Sequence, residues 1–129
     1  MSPNKKIFFI PDFDNKSGLG HYYRCLNFLE FFKKKYKTFI LIKKNKYNKN
    51  FFSNNKSNQI IFFVNLKSAI ERLANKKNFF FIDSYKKKKI DIINSLTKNT
   101  ISTADNLTKI NSKYLIDHTF LRKKKRSSI

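Results

Sequence analysis

Lys6-Ile7-Phe8-Phe9-Ile10, a polar loop, and then Ser17-Gly18-Leu19-Gly20-His21-Tyr22-Tyr23-Arg24-Cys25-Leu26: this stretch decides the fold. The unbroken apolar run from Ile7 to Ile10 reads as a strand buried on both faces. Pro11 ends it, and Asp12 to Lys16 form the loop. Beyond the glycines, apolar residues recur at Tyr22, Cys25, Leu26, Leu29 and Phe32, the spacing of an amphipathic helix from Leu19 to about Tyr36. Lys33, Lys34 and Lys35 would then lie in its last turn, where cations favour the negative end of the dipole. Gly18 and Gly20 are the chain's two glycines, and their placing together predicts a backbone requirement at this turn.

The same alternation continues along the chain. Thr38 to Ile42, Gln59 to Val64, Phe79 to Ile82, Thr100 to Thr103 and Tyr114 to Ile116 read as further strands. Leu66 to Ala74 and the segment carrying Ile90, Ile93 and Leu96 read as helices, and Lys43 to Asn58 as a loop or short irregular helix. This predicts an α/β fold: a three-layer, Rossmann-like domain over residues 1–121. Its mostly parallel sheet has about five to six strands with helices on both faces. In such sheets functional loops lie beyond the carboxyl ends of the strands. Asp12 and His21 follow the first strand, Asp83 and Tyr85 the fourth, and Asp105 the fifth, so these residues are expected to converge.

The 129 residues suffice for one core, with 40% apolar residues including 15 Phe and 6 Tyr. The net charge of +21 invites a nucleic-acid reading. However, Lys, Asn, Ile and Phe are all abundant while Gly, Pro, Met and Trp are scarce, the signature of AT-rich coding, and Lys outnumbers Arg, the better phosphate fork. Nucleic acid is therefore not the expected partner. The single cysteine, Cys25, excludes an internal disulfide and reads as a small buried hydrophobe. No apolar stretch reaches the length of a membrane span, and a cytoplasmic location is the simplest expectation.

Gly18-Leu19-Gly20 lacks the third glycine of a dinucleotide fingerprint and the Lys-Ser/Thr of a P-loop, which argues against NAD and ATP sites. His21 at the helix start is either a general base, oriented by a carboxylate such as Asp12, or a residue that caps the turn. Asp83-Ser84-Tyr85 either presents hydrogen-bonding groups at the sheet edge or caps the next helix. Lys86 to Lys89 and Arg122 to Arg126 read as solvated charge runs, and His118 has no companion pattern. Metal-ligand spacing is lacking.

With Gly-x-Gly-His-x-x-Arg-Cys-Leu after the first strand and Asp-Ser-Tyr after the fourth, the chain resembles the nucleotide-sugar hydrolases of pseudaminic acid biosynthesis. These enzymes are relatives of the GT-B glycosyltransferases. The resemblance covers the N-terminal half of that family's length and implies an inverting hydrolysis that releases UDP from a UDP-activated amino sugar, without a cofactor or metal. It implies His21 as the base on water, with Tyr85 and Asp12 assisting. Gly18, Leu19, Gly20, Arg24, Asp83 and Asp105 would bind substrate. The chain departs from the pattern at Ile10, where the family carries arginine, and at Asp105-Asn106, where it carries paired aspartates. The resemblance also implies a second, nucleotide-binding domain, with residues 122–129 as a basic tail leading toward it. Glycosyl transfer to an acceptor on the same fold, or a non-catalytic basic binding module, are the competing readings.

Overall fold

The computed structural model describes residues 5–14, 19–53, 59–104, 114–117 and 127–128. Strands and helices alternate as β1 (Lys6–Pro11), α1 (Gly20–Phe32), β2 (Lys37–Lys43), α2 (Lys46–Phe51), β3 (Ile60–Phe63) and α3 (Leu66–Leu73). They continue as β4 (Asn78–Asp83), α4 (Lys87–Leu96), β5 (Thr100–Ala104), β6 (Tyr114–Asp117) and β7 (Ser127–Ser128). The seven strands lie in one sheet, in the order β3-β2-β1-β4-β5-β6-β7. Neighbours from β3 to β6 are parallel, and the two-residue β7 runs antiparallel to β6. This is the expected α/β, Rossmann-like fold, with one short antiparallel strand more than the sequence suggested.

The strand pleat divides the apolar runs between two cores. Ile7, Phe9, Ile40, Ile42 and Phe81 face α1, meeting Tyr22, Cys25 and Leu29, with Phe52 beside them. Phe8, Ile10, Leu41, Phe80 and Ile82 face the other way onto Ala69 and Ile70 of α3 and Ile90 and Ile93 of α4. Both faces of the central strands are thus covered, which explains why β1 and β4 carry no alternation of polar residues. Phe8 stacks between Phe39 and Phe80 at 5.3 and 5.4 Å, joining β2, β1 and β4 within one layer.

From β1 the chain winds outward through β2 to β3, then returns to β4 on the opposite side of β1. Such a reversal opens a crevice beyond the carboxyl ends of the two central strands. β1 and β4 stay in register up to Pro11 and Asp83, and the Asp12 N–H donates to the Asp83 carbonyl at 3.0 Å. The last residues of both strands are therefore held rigidly.

Several local readings need correction. Helix α1 stops at Phe32, so Lys33 to Lys35 form the turn into β2 rather than the last helical turn. The Lys35 and Tyr36 N–H groups both donate to the Phe32 carbonyl, which closes that turn. Within the Lys43 to Asn58 segment, α2 forms because the Asn45 side chain caps it, accepting the Asn48 N–H at 2.8 Å. Pro11 is the last residue of β1, so the strand does end there, as expected. No helix among the described residues is long and apolar enough to cross a membrane.

Candidate active site at the carboxyl edge of β1 and β4

The buried stripe of α1 runs through His21, Tyr22, Cys25 and Leu29, so His21 faces the sheet from the helix's first turn. Arg24 lies three residues on, on the same face. Both reach Asp83, the last residue of β4 and fully buried. The imidazole Nδ1 lies 2.7 Å from Asp83 Oδ1. The Arg24 guanidinium donates from Nε to Oδ2 and from Nη2 to Oδ1, each at 2.7 Å. This side-on fork is the strongest geometry an Arg–carboxylate pair can adopt.

Burial alone would push the Asp83 carboxyl up, but hydrogen bonds from Arg24 and His21, with the Arg24 charge, hold it below its ordinary value. Arg24 is held above its ordinary value, first by its hydrogen bonds to Asp83 and further by the Tyr85 phenol. Asp83 is accordingly an ionised acceptor, and this assigns the imidazole proton to Nδ1. Arg24 Nη2 lies 3.3 Å from Nδ1, and with both nitrogens donating this closeness reflects their convergence on Oδ1. The lone pair is left on Nε2.

Nε2 lies 4.0 Å from Asp12 Oδ2. That is beyond a direct hydrogen bond. Asp12, the residue after β1, is itself buried and held by Lys89, whose Nζ donates to Oδ1 at 3.0 Å and to the Pro11 carbonyl at 3.2 Å. The Tyr85 N–H donates to Asp12 Oδ2 at 3.2 Å. Burial pushes the Asp12 carboxyl up, but Lys89, the Ser84 hydroxyl and the Tyr85 N–H outweigh it and bring it below the ordinary range. Tyr85 is 60% exposed and lies edge-on to His21, with ring centroids 4.6 Å apart.

Asp12, His21, Asp83 and Tyr85 thus come together at the switch point, as the strand-end pattern predicted, and Arg24 joins them there. Gly18 and Asp105 lie outside the described residues. Leu19 is the N-cap of α1 and packs against the α1-side core. The carboxylate that orients the imidazole is Asp83, not Asp12. Arg24 commits its guanidinium to Asp83. Ser84 does not cap α4; its Oγ accepts the Lys86 N–H at 2.9 Å, one turn before the helix.

Lys89 is the residue that sequence reasoning missed. It was hidden in a run of four lysines, yet its side chain is only 17% exposed and pairs with Asp12. Its burial lowers its basicity, an effect partly offset by Asp12. The available signal was helical phase: Lys89 precedes Ile90 and lies four residues before Ile93, on the inward side of α4. Cys25 is buried, as expected, and burial pushes its thiol up, consistent with a packing role.

The expected backbone requirement for glycine does not hold at Gly20. It is exposed, its φ lies outside the left-handed region, and a Cβ built there meets nothing within 4 Å. Replacing Gly20 with Ala is expected to stabilise the fold by about 0.4–1 kcal/mol, since alanine narrows the unfolded ensemble without strain. Urea unfolding checks this, and a loss of stability would reveal a constraint at this turn.

Fold and site together define a Rossmann-like α/β domain in which His21 and Arg24 converge on the buried Asp83 carboxylate at the topological switch point. Comparison with protein-family models, with curated proteins and with solved structures finds no match for the chain. Among the described residues, no group of three or more His, Cys, Asp or Glu side chains gathers as a metal site.

Proposed function

We propose that the chain carries the base-bearing half of a nucleotide-sugar hydrolase, with His21 activating the water that displaces UDP from a UDP-activated amino sugar. The observation that carries this reading is the 2.7 Å His21 Nδ1–Asp83 Oδ1 contact, with Asp83 locked by Arg24, because it leaves Nε2 free to accept a proton. The sequence resemblance supplies the substrate class. The site supplies a means of activating water.

The 4.0 Å between Nε2 and Asp12 Oδ2 suits a water about 2.8 Å from each, donating one hydrogen to the imidazole and one to the carboxylate. Attack by that oxygen on the anomeric carbon forms the new C–O bond as the bond to the diphosphate oxygen breaks. The water's proton passes to Nε2, and UDP leaves with the bonding electron pair. Asp83 balances the imidazolium that forms, and Arg24 keeps Asp83 from swinging away. In this reading Tyr85, exposed and edge-on to the imidazole, borders the sugar. A second, nucleotide-binding unit, fused or separate, belongs to this proposal.

The test is incubation of the chain, alone and with a nucleotide-binding companion domain, with UDP-diacetamido-trideoxyhexose. Free UDP and an inverted reducing sugar are the expected products. Formation of product only when an acceptor sugar or lipid is added would replace hydrolysis with transfer, and no UDP under any condition would overturn the reading.

A further inference from the structure

On the α3–α4 side of the sheet, a cleft of about 460 Å³ opens between the ends of β1, β2 and β3 and the first turns of α4. Its volume lies within the range of small-molecule sites. Asp12 forms part of its wall, but His21 does not. The floor is apolar, made by Phe63, Leu66 and Ile92, and the rim carries Lys43, Lys86, Lys88 and Lys89.

The placing of these cations runs against local electrostatics. Lys86 is the N-cap of α4, and Lys87 to Lys89 fill its first turn, which has no acidic residue. Cations at the positive end of a helix dipole are unfavourable there. Part of the charge is answered from within the fold, Lys89 by Asp12 at 3.0 Å, Lys86 by Asp14 at 3.7 Å and Lys87 by Asp91 at 2.9 Å. Lys43 and Lys88 have no ion pair among the described residues, although both line the cleft. AT-rich coding explains an abundance of lysine, but not its convergence on a concave surface at a helix N-terminus.

We infer that this cleft binds an organic phosphate or diphosphate, its anionic group held by Lys43 and Lys88 at the α4 N-terminus and its apolar or planar part resting on Phe63, Leu66 and Ile92. Such a ligand supplies the charge that the first turn of α4 lacks, and its organic part covers the exposed edge of Ile92. Two cations and an apolar floor together favour an organic phosphate over either the free anion or the neutral organic group. The inference stands on the cleft alone and does not require His21 to be a base.

The test uses the chain itself, titrated with UDP, pyrophosphate and uridine while amide resonances are followed by NMR. UDP is expected to bind more tightly than pyrophosphate and far more tightly than uridine, shifting the amides of Asn45, Leu66, Lys88 and Ile92. The Lys43→Gln, Lys88→Gln double variant, both positions being exposed, is expected to keep its melting temperature and weaken UDP by at least about tenfold. The inference is overturned if millimolar UDP shifts none of these amides, if uridine binds as well as UDP, or if the double variant binds UDP like the parent. Because binding is read without turnover, failure here leaves the His21 reading untouched, and absence of hydrolysis leaves the cleft untouched.

Discussion

The His21→Asn variant is expected to lose about 10²- to 10⁴-fold in UDP release while keeping its fold, the contribution typical of a positioned general base. Asparagine matches the reach of the imidazole Nδ1, so its amide N–H can still donate to Asp83 and keep that buried acceptor satisfied. Asparagine has no group that accepts a proton near neutral pH, so the water is left without a base. The stability change should therefore stay within about 1.5 kcal/mol, the worth of one hydrogen bond. A variant that turns over like the parent would remove His21 from the chemistry. One that unfolds would show that the imidazole serves the core.

The second large effect falls on Asp83. The Asp83→Asn variant keeps the side chain's shape but removes the charge that pairs with Arg24 and assigns the His21 tautomer. Breaking a buried pair on one side costs about 3–5 kcal/mol, and the 24% exposure of the Arg24 side chain places the expected loss at the lower end. For a domain of this length that is a fall of about 10 °C in melting temperature. The pH dependence has a definite sign. The Asp83 carboxyl lies below the ordinary value of 3.8, so its contribution is fully present above that pH and is lost as pH falls through the folded-state value. The gap between parent and variant should accordingly be constant near neutrality and close on strong acidification. A gap that widens on acidification would mean that Asp83 is protonated in the fold. Turnover should fall in this variant too, because an amide at position 83 no longer dictates which ring nitrogen holds the proton.

Much of this was legible in the sequence, and the rest was not for identifiable reasons. The strands at Ile7–Ile10, Thr38–Ile42 and Phe79–Ile82 are visible because a strand buried on both faces is an apolar run. Strand ends then locate Asp12 and Asp83. The His-x-x-Arg spacing places both side chains on one helical face by geometry alone. Their shared partner was hidden, since His21 and Asp83 are 62 positions apart and meet only because β1 and β4 are neighbours in the sheet. Asp12 was the nearer carboxylate in sequence and so the natural expectation, but it belongs to Lys89. That pair was obscured by a charge run whose other members are exposed. Gly20 misled in the opposite way: scarcity suggested a steric need, whereas the space there is open to a Cβ.

The Asp83-directed imidazole is tested most directly by ¹⁵N NMR of His21 at neutral pH, with His118→Gln leaving a single histidine. A protonated Nδ1 and a bare Nε2, with the preference lost in Asp83→Asn, are the predicted result. A proton on Nε2 with a bare Nδ1, or protons on both nitrogens at neutral pH, would contradict a base poised toward Asp12 and the sheet edge.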